Sequence, residues 1–303
     1  MSLFDRLVVA TLPLVPKPVV GVVAKRYVAG ETLESAVETI RRLNGEGACA
    51  TVDLLGEEIK AKSAATSAVD EYLRVLDAIA EHELDCNISV KPTQFGLDID
   101  EAFCRENYDR LVTAARERDI FVRLDMEDHT TTDATLRIFR FLHEKHSDGK
   151  PAVGPVFQAY MRRTLDDVAE LPDDGSRVRL CKGIYIEPRA VAWKDFDTVR
   201  LNFVQALRQL FLKGTYVGIA THDEHLCCAA IGLIHELGVP KDQYEFQMLL
   251  GVEPNLRKIL IDGGHKLRVY VPYGSDWYLY SVRRLRENPK IAGHVARAIL
   301  RGE

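Results

Sequence analysis

Tyr216-Val217-Gly218-Ile219-Ala220-Thr221 is followed from Asp223 by a helical run to Leu237 and then by Tyr244–Leu249. A short apolar run, an acidic helix start at Asp223-Glu224, a segment with helical period and a second apolar run spell strand, crossover helix, strand. The same unit recurs in both directions. Strand-like runs stand at Ala48–Leu54, Cys86–Lys91, Ile120–Asp125, Pro155–Ala159, Val178–Lys182, Tyr216–Thr221, Tyr244–Leu249 and Leu267–Val271. Helical periods follow them at Thr66–Glu81, Glu101–Arg118, Thr130–Lys145, Leu165–Leu171, Phe196–Leu212, Asp223–Leu237, Glu253–Asp262 and Asp276–Glu287. Strand starts lie about 36 residues apart over the first four units, as helical crossovers between parallel strands require. Eight repeats favour closure into a (β/α)8 barrel over an open doubly wound sheet. No linker divides the chain, so residues 1–46 read as an N-terminal arm and helix and 47–303 as one barrel.

Composition narrows the function by exclusion. With 40 basic residues among 45 acidic ones, the formal charge of -5 leaves no footprint for a phosphate backbone, so nucleic acid is not an expected partner. Six cysteines without a CxxC pair fit a reducing, cytoplasmic setting, and Cys227-Cys228 reads as two small apolar side chains on a helix. The apolar stretch Leu7 to Ala24 is broken by Pro13, Pro16, Lys17 and Pro18, too early for a membrane span of about 20 continuous apolar residues. It reads as an arm, with peripheral contact at the inner face of the membrane as its alternative use.

In a closed barrel the chemistry belongs at the carboxyl ends of the strands. Polar residues terminate them: Lys91, Asp125, Gln158, Arg179 with Lys182-Gly183, Thr221-His222 and Gln247. One such residue is ordinarily a cap; six converging on one mouth are a site. Lys91 and Asp125, on neighbouring strands, are placed to form an ion pair that aims the ammonium into the pocket. Arg179, Lys182 and Gly183 suit a phosphorylated cofactor, two cations offsetting its charge and a glycine permitting close approach. Neither GxxxxGK[ST] nor a strand-linked GxGxxG is present, against a P-loop or Rossmann site. The histidine pairs His222/His225 and His143/His146 lack a spaced third ligand, and no metal is expected. On the last helix, with Tyr280 at zero on a wheel of about 100° per residue, Asp276, Arg283, Arg284 and Glu287 fall within roughly 60°. That face is either a solvated stripe or a fork for a carboxylate, which guanidinium binds bidentately.

Taken in order, Ser89-Val90-Lys91-Pro92, Arg123-Leu124-Asp125-Met126-Glu127, Val156-Phe157-Gln158-Ala159-Tyr160, Arg179-Leu180-Cys181-Lys182-Gly183-Ile184-Tyr185, Ala220-Thr221-His222-Asp223, Tyr244 to Gly251 and Tyr280 to Glu287 closely resemble the proline dehydrogenase family. The resemblance spans Thr51 to Pro289 and looks like the compact, monofunctional bacterial form, with no aldehyde dehydrogenase domain attached. It implies a single distorted (β/α)8 TIM-type barrel that holds FAD and oxidises L-proline to Δ1-pyrroline-5-carboxylate. It further implies electrons passed to a membrane quinone and product handed to a separate pyrroline-5-carboxylate dehydrogenase.

By matching positions, the resemblance has Arg283, Arg284 and Lys91 hold the proline carboxylate, with Asp125 orienting the cluster. Tyr270, Leu250 and Tyr280 would shape the pocket around the ring. Met126, Gln158, Arg179, Lys182, Gly183, Thr221, His222 and Gln247 would line the FAD site, Arg179 also tuning the flavin, and Glu287 would brace the arginine helix. Ile184, Ile186 and Ser281 depart from the family pattern. The rival readings are a hydroxyproline dehydrogenase, opposed by the bulk of Tyr270, another flavin barrel reduced by NADH, and a non-catalytic amino-acid-binding barrel.

Overall fold

Strands covered on both faces have no solvent side to mark with polar residues, which is why these read as mostly apolar runs, while charged members such as Asp53, Arg179 and Glu245 pair inside the barrel. The computed structural model describes residues 26–172 and 176–281 other than 279, together with 21 and 24. Within them helix α1 (Leu33–Gly45) precedes β1 (Cys49–Leu54), α2 (Lys62–Glu81), β2 (Cys86–Val90), α3 (Glu101–Glu117), β3 (Val122–Leu124) and α4 (Thr132–His146). Next come β4 (Val153–Gly154), β5 (Val156–Gln158), α5 (Thr164–Ala169), β6 (Arg177–Cys181) and α6 (Phe196–Leu212). The series closes with β7 (Tyr216–Ala220), α7 (Glu224–Leu237), β8 (Tyr244–Leu249), α8 (Pro254–Asp262) and β9 (Leu267–Tyr273).

Every strand pairing is parallel, in the order β4-β3-β2-β1-β9-β8-β7-β6-β5. The two ends of that order are separated in sequence only by Pro155, so β4 and β5 are halves of one strand and the ring closes through the chain itself. The result is an eight-stranded TIM-type barrel whose fourth strand is broken. Proline has no N–H to give to a ladder, which explains the break. Gly154 permits it, because a Cβ there would lie 1.8 Å from the Arg177 carbonyl oxygen. Buried Arg123 spans the seam, its Nη1 donating to the carbonyls of Pro155 at 2.8 Å and Arg177 at 2.7 Å.

Packing sets where the mouth lies. Helix α1 starts at Thr32, whose hydroxyl accepts from the Ser35 amide, and it buries Ala36, Val37, Ile40 and Leu43 against β1 and β9. Ahead of it, Tyr27 and Val28 cluster with Leu55, Trp277 and Tyr280, which moors the start of the last helix beside the strand ends. Trp277, Tyr278, Tyr280 and Ser281 are helical, as the reading from Asp276 expects. Among the described residues no helix is long and apolar enough to cross a membrane.

Candidate active site

Lys91 follows β2 directly and is almost fully buried, so its ammonium has to find a partner inside the protein. It donates to both oxygens of Asp53, each at 3.0 Å, with Glu57 at 3.8 Å. Asp53 lies within β1 and is wholly enclosed. Burial pushes its carboxyl up to about 6, Lys91 offsetting only part of that shift. Burial alone would lower the Lys91 ammonium, but Asp53, Asp125 and Glu57 outweigh it and hold it above the usual lysine range. The partner expected from the sequence was Asp125. Arg179 instead reaches across from β6 and takes that carboxylate, its Nη1 2.6 Å from Asp125 Oδ1. Ser89 Oγ at 2.6 Å and the Tyr270 hydroxyl at 2.9 Å also donate to Asp125. Lys91 is left to the carboxylate on its other side.

Arg179 is fixed from below as well. Its Nε donates to Gln247 Oε1 at 2.7 Å, and Gln247 Nε2 donates to Glu245 Oε1 at 2.7 Å. Arg268 Nε at 2.7 Å and the Tyr216 hydroxyl at 2.8 Å complete the Glu245 shell. Gly218 on β7 is in register with both Arg179 and Glu245, and a Cβ there would meet Gln247 Nε2 at 2.4 Å. Its missing side chain therefore makes room for the column. Burial alone would raise Glu245, but Arg268 and Gln247 hold it down to about 2.

At the ends of β6 and β7 the chemistry is wetter. Lys182 Nζ meets Asp223 at 3.1 Å, and Arg200 of α6 grips the same carboxylate through Nε and Nη2, both at 2.9 Å. Both cations lie over the exposed ring of Phe196, at 4.6 and 4.3 Å from its centroid. Asp223 also caps α7 by accepting from the His225 amide at 3.2 Å. Although burial opposes it, the hydrogen bonds from Arg200 and Lys182 hold Asp223 near 2. Arg200 Nη1 also meets the exposed Asp197 at 3.3 Å, so the two cations of this ledge are shared between a partly buried carboxylate and a solvated one. His222 Nε2 accepts from the Leu249 amide at 2.8 Å, which commits that nitrogen to the end of β8. Gly183 also meets a backbone requirement: its φ is +102°, and a Cβ would fall 2.2 Å from the Tyr160 ring.

One cavity of about 720 Å³ gathers Lys91, Asp125, Met126, Gln158, Arg179, Lys182, Gly183, Thr221, His222, Gln247, Tyr270 and Tyr280. Leu250 is not among its lining residues; its amide donates to the Tyr270 carbonyl and its side chain joins the core, while Leu249 and Val252 face the cavity. Arg283, Arg284 and Glu287 lie outside the described residues. Sequence reading missed Asp53, Asp223 and Arg200. The signal for Asp53 was a carboxylate inside the apolar run Ala48–Leu54, and that for Asp223 was hidden by its obvious use as a helix cap. Arg200 carried no signal, being one polar residue within an ordinary helical period.

The fold and the site define a barrel enzyme whose dry, charge-paired corner adjoins a cationic ledge across one mouth. The family model described as Proline dehydrogenase matches residues 36–297, and the chain belongs to the proline dehydrogenase family. It is 39% identical over 278 residues to Proline dehydrogenase 1 of Bacillus subtilis subsp. natto, covering 92% of this chain and 91% of that one. It is 37% identical over 282 residues to Proline dehydrogenase of Deinococcus radiodurans, covering 92% and 90%. Among solved structures, proline utilization A from Bdellovibrio bacteriovorus inactivated by N-propargylglycine superposes with a TM-score of 0.81 at 25% identity. That match covers 88% of this chain, which spans about a third (32%) of the solved one.

Proposed function

We propose that the mouth binds L-proline beside FAD and oxidises it to Δ1-pyrroline-5-carboxylate, the electrons then passing to a quinone reached by peripheral contact with the membrane. The observation that carries this reading is the union, in one cavity of about 720 Å³, of the buried Lys91 corner with the cationic ledge at Lys182 and Arg200. A volume of that order lies within the usual range for ligand and cofactor sites. The ledge suits a diphosphate, because Lys182 and Arg200 bring two cations to one edge of the cavity, and Asp197, the second carboxylate on Arg200, is largely exposed to solvent. Met126, Gln158, Arg179, Lys182, Gly183, Thr221, His222 and Gln247 would hold the flavin, which when bound supplies the hydride acceptor.

The chain's own task is then placement. Lys91 takes the substrate carboxylate, while Tyr270 and Tyr280 wall the ring and exclude water. The phenol of Tyr270 is held protonated by burial and by Asp125, so it stays a donor to that carboxylate. Lys91 and Arg179 face Asp53, Glu57 and Asp125, so these described residues offer no spare positive charge to an anionic substrate. That deficit supports assigning Arg283 and Arg284 to the carboxylate, with Glu287 bracing their helix. Protein purified with bound flavin should be yellow and should bleach anaerobically on addition of L-proline. Bleaching by hydroxyproline or NADH, with none by L-proline, would replace this reading with one of its rivals.

A further inference from the structure

Asp53 is an expensive residue to keep where it is. It is completely enclosed, and its one cationic contact within 4 Å among the described residues is Lys91. The Tyr72 hydroxyl, which donates to the Ser89 carbonyl at 2.7 Å and accepts from the Leu54 amide at 3.1 Å, stands 3.5 Å from its Oδ1. A buried ion pair is weak grounds for stability, since apolar replacements commonly do as well. What the pair does achieve is local. A lysine enclosed in protein tends to shed its proton, and a neutral amine is a poor receptor for a carboxylate.

We infer that Asp53 is a positioning residue for proline oxidation: by taking two of the three Lys91 donors it keeps that ammonium charged and turns the remaining N–H toward the substrate carboxylate. The inference rests on the reading of Lys91 as a carboxylate receptor. Lys91 is surrounded by Asp53 and Glu57 from β1 and the segment after it, and by Asp125 and Glu127 from the end of β3. Behind Asp53 stand Tyr72 of α2 and Tyr270 and Tyr273 of β9, and Arg179 of β6 lies across Asp125. Asp53 is the member of this set that touches the ammonium through both oxygens.

The test uses the holoenzyme and tetrahydrofuran-2-carboxylate, a proline analogue whose ring oxygen replaces the amine. Its affinity therefore reports protein groups alone at neutral and alkaline pH. Calorimetric titration between pH 7.5 and 9.5 should give wild-type protein a nearly constant Kd. Asp53→Asn should bind within about threefold of wild type at pH 7.5 and at least tenfold more weakly than wild type at pH 9.5, as Lys91 loses its proton. Glu127, which burial pushes to about 7, titrates in both proteins and cancels in the comparison. Parallel pH profiles for the two proteins would overturn the inference. Should Asp53→Asn not fold, Asp53→Glu decides. A flat profile with Kd raised at least threefold supports positioning, and a wild-type Kd at every pH overturns it. Lys91→Met separates the two layers: if it binds the analogue as tightly as wild type, the reading of Lys91 fails, whatever Asp53 does.

Discussion

Two buried ion pairs sit at opposite ends of the same barrel, and they are built differently. At the floor, Glu245 receives Arg268, Gln247 and Tyr216 within 2.8 Å and is held down to about 2. At the mouth, Asp53 has Lys91 at 3.0 Å and a tyrosine hydroxyl at 3.5 Å, and burial pushes it to about 6. The signs for stability are opposite. A depressed carboxyl contributes stability above its unfolded pKa that is lost as pH falls, whereas for a raised one ionisation itself costs stability as pH rises toward 6. The floor pair is therefore a structural joint. The mouth pair puts the Lys91 charge on the wall of the cavity, in keeping with the division expected between the two faces of such barrels.

The largest effect should come from breaking the floor. Glu245→Gln leaves Arg268 buried without its carboxylate and should cost about 3–5 kcal/mol, read by denaturant unfolding. The wild-type protein should also lose stability as pH falls from about 4.5 toward 2, and the variant should lack that loss from Glu245. Asp53→Asn should cost clearly less, because its site already disfavours the charged carboxyl; equal losses in the two variants would break the contrast. A smaller effect sharpens the functional half. Arg284→Met should raise KM for proline at least about tenfold, roughly 1.4 kcal/mol from a lost charge-assisted bond. An unchanged KM would remove Arg284 from the carboxylate site.

The barrel was legible because its evidence is local: apolar runs, acidic helix starts and a repeated crossover length. The converging strand ends were legible for the same reason, once closure put Lys91, Asp125, Arg179 and Gln247 on one mouth. Partner choice was not. Lys91 has a carboxylate on each flanking strand, and only the reach of Arg179 from the far side of the barrel decides that Asp125 is taken. Gly183 and Gly218 show the same limit, since the close approaches a side chain would make there are to the Tyr160 ring and the Gln247 amide, both distant in sequence. The break in the fourth strand was not legible, since Pro155–Ala159 reads as one strand with proline as its first residue, and the closure through the chain depends on strand order rather than on any local pattern.

On the proposed reading, the mouth recognises its substrate by the carboxylate and leaves the ring to the flavin. Anaerobic flavin reduction by L-proline and by pyrrolidine, which lacks only the carboxylate, tests it directly. Reduction by pyrrolidine should be at least about a hundredfold less efficient, the loss expected when charge-assisted bonds to an anion vanish. Equal efficiency for the two amines would contradict the account.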